Sequence, residues 1–321
     1  MSLSGQFGVQ HSKPPVLLLI FNRPQVTAEV MRALQVARPA HLLVAADGPR
    51  ATRPAEAELC AATRETVRSM VNWPCEVQWQ CSEQNIGCGM GPASAIAWAL
   101  EQFEQTIVLE DDCVPHPDFF TFADAMLERY RDDQRVMLVS GINVLKGRYA
   151  LPYSYGFSRY PLTWGWATWR RAWQHFDFDM KLWPAMRSAN LLQDILGDPR
   201  EAEYWTRNFN AVERNRHDVW DYQLHLAMWA HGMHALYPAV NLITNIGVEG
   251  THFHNVRPMH NLPTAPLPIP LANPPVVYRD VQADAIIRRT WYLPSLVTAY
   301  RTNCASSHRW QDFTKGVRDE H

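Results

Sequence analysis

The stretch TIVLEDDCVPHPDFF, residues 106–120, decides the fold. A short apolar run, Thr106 to Leu109, reads as a buried strand and stops at three adjacent acids, Glu110, Asp111 and Asp112. A proline and a helix start follow directly. On an extended chain the side chains alternate, so Glu110 and Asp112 are expected on one face and Asp111 on the other. Carboxylates this close repel one another unless a cation or a proton relieves them. Acids clustered at the carboxyl end of a buried strand, in an open α/β sheet, point to a hard divalent metal and a phosphate-bearing ligand. The plainer reading is a solvated strand end whose acids favour the next helix N-terminus.

Working back from that stretch, three strand–helix units precede it. Val16–Phe21 is a continuous apolar run between Pro14-Pro15 and Asn22-Arg23-Pro24, the pattern of a buried parallel strand. Residues 25–37 carry Val26, Val30, Met31 and Leu34 at helical spacing. His41–Ala46 is a second strand closed by the turn signal Asp47-Gly48-Pro49. A helix is expected over 54–71, a third strand over Cys75–Gln80 and a helix over 92–104. The alternation predicts an α/β fold with a mostly parallel sheet flanked by helices on both faces. Every candidate strand ends in a polar loop, and ligands of such sheets sit outside those ends.

Working forward, the pattern is less regular. Residues 160–183 hold Trp164, Trp166, Trp169, Trp173 and Trp183, and helices are expected over 199–215 and 220–231. Residues 257–275 are proline-rich and read as extended along a surface. The last stretch, 280–321, adds a helix and a tail. No internal repeat is visible.

The composition narrows the classes. A chain of 321 residues with 47% hydrophobic and 19% charged residues is an ordinary globular protein. A net charge of −2 with no basic block excludes the electrostatic footprint of nucleic-acid binding. The 13 tryptophans suit both flat ligands and core packing. The six cysteines form no C-x-x-C pair, which excludes a zinc ribbon and points to reduced, buried thiols of a cytosolic protein. The N-terminus lacks the basic head and apolar stretch of a signal peptide, and no apolar run is long enough for a membrane span.

Four further segments carry chemistry-bearing residues. In NIGCGMGPAS, residues 85–94, three glycines precede a helix whose first amides suit phosphate, or the segment is a plain turn. In DVWDYQLHLAMW, residues 218–229, Asp221 and His225 stand four apart beside an apolar stripe. Asp221 suits a general base if held against aromatic rings, and Asp218 or Asp221 equally suits a helix cap. The D-x-D of Asp177-Phe178-Asp179 follows no strand and reads as polar positions of an aromatic segment. His252 and His254 lack a cysteine partner and read as hydrogen-bonding loop histidines, not a zinc site.

Taken in order, PVLLLIFNRP at 15–24, VAADGPR at 44–50, NIGCG at 85–89, VLEDDCVPHPDFF at 108–120, YPLTWGWATW at 160–169, VWDYQ at 219–223 and GVEGTHFHN at 247–255 resemble the GT-A fold glycosyltransferases. The likeness is greatest to the N-acetylglucosaminyltransferase I type and to bacterial sugar-transferase-like proteins. It spans residues 14–256, leaving 1–13 as a flexible N-terminus and 257–321 as an extension packed on or trailing from the domain. The resemblance implies a Rossmann-like GT-A sheet and an inverting, metal-dependent hexosyl- or N-acetylhexosaminyltransferase. Asn22, Arg23 and Asp47 match loops that hold the nucleotide, and Asn85 and Gly87 a segment near base and ribose. Glu110 and Asp111 match contacts to sugar and ribose, and Asp112 the acid that binds Mn²⁺ or Mg²⁺. Asp221 matches the catalytic base, Thr251 and His252 a loop over the diphosphate, and Trp166 the wall between donor and acceptor.

The partners so implied are a nucleotide diphosphate sugar, foremost a UDP-sugar, and a glycan or lipid-linked acceptor. The implied setting is surface polysaccharide synthesis in the cytoplasm, at the inner face of the membrane. Tyr222 stands where the animal enzyme has a second acid. Rival readings are a nucleotidyltransferase, disfavoured because FNRPQ is not a glycine-rich basic loop, and a non-catalytic carbohydrate-binding or scaffold protein. A nicotinamide enzyme is excluded by the missing GxGxxG after the first strand.

Overall fold

A computed structural model of the protein describes residues 13–214, 218–247 and 261–292. The first half is the expected alternation. It runs β1 (Val16–Ile20), α1 (Pro24–Ala37), β2 (His41–Ala46), α2 (Glu56–Met70), β3 (Glu76–Cys81), α3 (Gly87–Gln102) and β4 (Gln105–Glu110). Then follow β5 (Cys113–Pro115), α4 (Pro117–Arg129), β6 (Val136–Ser140), β7 (Tyr155–Ser158) and β8 (Trp166–Trp169). Four short or medium helices come next: α5 (Arg170–Trp173), α6 (Trp183–Ser188), α7 (Leu191–Leu196) and α8 (Pro199–Glu213). The described part closes with α9 (Asp221–Ala230), β9 (His234–Pro238), β10 (Ile243–Asn245), α10 (Val281–Ile287) and a π-helical turn, Arg288–Tyr292.

The main sheet has eight strands in the order β3-β2-β1-β4-β8-β6-β9-β7. The pairs β1–β2, β2–β3, β1–β4 and β6–β9 are parallel, and β8 and β7 run against their neighbours. The α/β class and mostly parallel sheet expected from the sequence are therefore what forms. β1 and β4 sit in the middle and are buried on both faces, which is why they read as unbroken apolar runs.

Local sequence explains the helix boundaries. Pro24 opens α1 at a position that needs no amide, and Thr27, Val30, Met31 and Leu34 form its buried stripe. Thr27 takes the place expected for Val26, because it hydrogen-bonds the Arg23 carbonyl at 2.8 Å and faces the sheet. His116 caps α4, its Nδ1 accepting from the Asp118 amide at 3.2 Å, with Pro117 in the first turn. α3 begins earlier than expected. The glycines at 87, 89 and 91 are its first turns, not a loop before it.

β6 to β10 were not legible as strands. They are three to five residues long and buried almost throughout, so they carry no alternation. Residues 261–267 bond Asn245, Asn241 and Asp118, and residues 272–284 run against the β7 edge. The Ser154 amide bonds the Ala272 carbonyl at 2.9 Å, and buried Asp284 accepts from Ser158 Oγ at 2.6 Å. Among the described residues no helix is long and apolar enough to cross a membrane. Of the described cysteines, all free, Cys60 and Cys113 are buried but Cys81 is exposed, which corrects the expectation that all are buried.

Candidate active site

A cleft of about 760 Å³ lies across the carboxyl ends of β1, β2, β3 and β4. Leu19 to Arg23, Ala45 to Asp47, Asn85 to Cys88 and Glu110 to Asp112 all face it. Eight of the site residues expected from the sequence therefore line one cavity: Asn22, Arg23, Asp47, Asn85, Gly87, Glu110, Asp111 and Asp112; Asp221 is not among its lining residues. The parallel sheet accounts for this convergence, because every one of these loops leaves the sheet on the same edge.

The acid triplet does not stay extended. β4 ends at Glu110, and the chain turns at Asp111 and Asp112 before β5. The expected alternation of faces is thus replaced by convergence on one guanidinium. Arg23 donates from Nε to Asp111 Oδ2 at 3.2 Å, from Nη2 to Asp111 Oδ1, and from the same Nη2 to Asp112 Oδ2 at 3.0 Å. Asp112 Oδ1 accepts from Asn245 Nδ2 at 3.2 Å. The antiparallel pairing of β5 with β10 puts Asn245 opposite Cys113 and so beside the triplet.

The electrostatics follow from burial. Removal from water, with Asp112 and Asp111 alongside, pushes Glu110 up to about 8. Burial also raises Asp111 above the usual carboxylate range, against the pull of Arg23. Burial opposes the charge on Arg23, but the two carboxylates outweigh it and hold its proton more tightly than usual. Asp221 opens α9, and burial lifts it to about 6 although backbone amides at the helix start favour its charge. Its charge in turn helps raise Glu110 and Cys88, which line the cleft, while Asp221 itself is buried near them and is not a lining residue.

Several sequence expectations change. Trp166 is 1% exposed and belongs to β8, where it stacks on Trp220 at 5.6 Å. It is a core residue, and Trp164, two positions earlier and outside the strand, lines the cleft instead. His225 does not touch the Asp221 carboxylate. Its Nδ1 lies 2.7 Å from the Asp221 carbonyl oxygen and its Nε2 2.7 Å from Tyr292 Oη. Asp177 binds the amides of Asp179 and Lys181 at 3.1 and 2.7 Å, as a local turn does. Thr251 and His252, with His254, lie outside the described residues.

The amides at the start of α3 are already taken. Asp47 accepts from the Gly48 amide at 2.8 Å, the Ile86 amide at 3.0 Å and Asn85 Nδ2 at 2.8 Å. Asp218 accepts from the Cys88 amide at 3.0 Å and the Gly89 amide at 2.7 Å. The glycine-rich segment therefore seats the protein's own carboxylates where the sequence suggested phosphate. Sequence reading missed this role of Asp218 and the whole of Asn245. The spacing of Asp218 to Asp221 was a usable signal for the first; nothing local marked the second.

The donor set can be tested against a divalent ion. Among the described residues no group of three or more His, Cys, Asp or Glu side chains converges on a point. A closed protein cage is thus not formed. Hard, partly hydrated ions are also held by one or two carboxylates together with ligand phosphates, and the all-oxygen donors at Asp112 fit that arrangement.

No protein-family model matches the chain, and no curated protein matches it significantly. Solved structures with a similar arrangement include a mannosyltransferase from Pyrobaculum calidifontis in complex with GDP-Man and Mn²⁺, at 14% identity and a TM-score of 0.30 over 49% of this chain and 44% of that one. Glucosyl-3-phosphoglycerate synthase from Mycobacterium tuberculosis, with Mn²⁺ and UDP, matches at 13% identity and a TM-score of 0.32 over 52% of this chain and 58% of that one. Mouse xyloside xylosyltransferase 1 matches at 12% identity and 0.29, over 67% and 80%. The chain spans about half the length of the first two. What the cleft can hold follows from its own residues.

Proposed function

We propose that this protein is an inverting, divalent-metal-dependent glycosyltransferase of GT-A type, moving a sugar from a nucleotide diphosphate, foremost UDP, to an acceptor hydroxyl. The observation that carries the reading is a pair of separated acid functions: Asp112 beside Arg23 in the cleft, and Asp221, buried at a helix start behind the lining residues Glu110 and Cys88, with a raised proton affinity. Asp47, Asn85 and Asn22 offer polar groups for base and ribose on one side. Glu110 and Trp164 also line the cleft, and the reading assigns the first to the sugar and the second to the acceptor side.

In the step itself the acceptor oxygen attacks the anomeric carbon and gives its proton to Asp221. The bond from that carbon to the diphosphate breaks, and the diphosphate leaves with the electron pair. One base and no covalent intermediate mean inversion. Arg23 would offset charge on the leaving group. Asp112 would hold Mn²⁺ or Mg²⁺, which when bound supplies further positive charge for the diphosphate. A glycan or lipid-linked acceptor, in surface polysaccharide synthesis at the cytoplasmic face of a membrane, belongs to the same proposal.

Paired variants test it. Asp112→Asn should weaken metal-dependent UDP binding, while Asp221→Asn should keep that binding and stop transfer. Full transfer activity in both variants would remove the assignment.

A further inference from the structure

The chain that leads into α9 is fastened to α3, not by a cap of its own. Trp220, at the cap position of α9, makes no side-chain cap bond. The first amides of α9, at Asp221 and Tyr222, turn to the Asp221 carboxyl instead, which ties that side chain to the position of the helix start. Asp218, two residues before that position, turns its carboxylate the other way, onto the Cys88 and Gly89 amides at 3.0 and 2.7 Å. Its carbonyl also accepts from the Cys88 thiol at 2.7 Å. The positive end of α3 favours a carboxylate at this place.

The seat is shaped for that carboxylate. A side chain on Gly87 would run into Asp218 Oδ2, and one on Gly89 would come within 2.6 Å of Oδ1 and 3.0 Å of the Val219 carbonyl. On its other side the segment is held by Trp220 stacked 5.6 Å from Trp166 of the central sheet. Asp221 thus leaves the chain directly after two fixed points, one on α3 and one on β8.

We propose that Asp218 is a positioning residue: its seat on α3 fixes the start of α9 and so holds the Asp221 carboxyl close to Glu110 and Cys88 of the cleft lining. The inference deepens the proposed function and rests on Asp221 as the base. It also gives the glycines at 87 and 89 their purpose, which is close approach of an internal carboxylate and not of phosphate.

Asp218→Ala removes the carboxylate, and Gly89→Ala displaces it from the opposite side. In both variants amide hydrogen exchange over 219–224 should speed up by tenfold or more, with the protection of β1 and β4 unchanged. The Asp221 carboxyl, followed by carbon-13 NMR, should titrate below its position near 6, because a loosened helix start admits water. UDP affinity in the presence of Mn²⁺ should stay within about threefold, since Arg23 and Asp112 are untouched, while turnover of any nucleotide sugar used falls by about tenfold or more at unchanged KM. Wild-type exchange and wild-type Asp221 titration in folded variants would overturn the proposal. If Asp221→Asn keeps its turnover, the base assignment fails separately, and the exchange result still reports on the clamp.

Discussion

Replacing Arg23 by glutamine perturbs the acid cluster at its centre. The guanidinium binds three carboxylate oxygens on Asp111 and Asp112, and the side chains are 24%, 6% and 11% exposed. Breaking a buried ion pair costs about 3–5 kcal/mol, because the partner charge is left uncompensated. Here the pair borders a cleft open to water, which screens part of that cost. The expected loss is therefore about 2–3 kcal/mol at pH 7.5, read from urea unfolding with an unchanged m value. Adding Asp111→Asn to Arg23→Gln should recover more than half of it, since one of the two facing charges is gone. The same variant should bind Mn²⁺ alone at least about tenfold more tightly, because a positive competitor for Asp112 has been removed. Binding of Mn²⁺ with UDP should weaken. A stability change under about 0.5 kcal/mol together with unaltered Mn²⁺ affinity would refute the placement of Arg23 between the acids.

Three more outcomes are expected. Because burial lifts Asp221 to about 6 and the base must be ionised, turnover should fall about tenfold per unit below pH 6 and level off above it, a limb absent from Asp221→Asn; a flat profile from pH 5 to 8 would speak against this base. Burial lowers His225 to about 3, so between pH 6.5 and 3 the unfolded chain gains a proton that the folded one cannot. Stability should drop across that window by at most about 4–5 kcal/mol, and His225→Gln should flatten the drop in acid-unfolding curves. Trp166→Phe should lie within about 1 kcal/mol of wild type in stability, since the buried indole Nε1 has no partner to lose, while Trp166→Ala should cost about 3–5 kcal/mol. Trp164→Ala, which loses its edge contact with Trp291 at 4.7 Å, should cost less stability than Trp166→Ala and lower acceptor affinity; the reverse ranking in melts would return Trp166 to the cleft.

The first half of the fold was legible because β1, β2 and β4 are buried on both faces and give unbroken apolar runs. The cleft was legible for the same reason, since parallel strands deliver Arg23, Asp47 and Glu110 to one edge. The second half was not. WATW at 166–169 looks like an aromatic surface but is an antiparallel strand between β4 and β6, whose pairing partners lie far away in sequence. The fate of the α3 amides was hidden too. Only the folded chain brings Asp218 against Gly89, 129 residues away. The convergence of Asp111 and Asp112 on Arg23 depends on a turn that the strand pattern did not announce.

The central claim is that Asp112 and Arg23 form one end of a nucleotide-diphosphate cleft. Isothermal titration of UDP into the protein, with and without Mn²⁺, tests it most directly. The account predicts binding with one-to-one stoichiometry that needs Mn²⁺ and is lost in Asp112→Asn. No heat from UDP or GDP at millimolar concentration, with Mn²⁺ present, would contradict it.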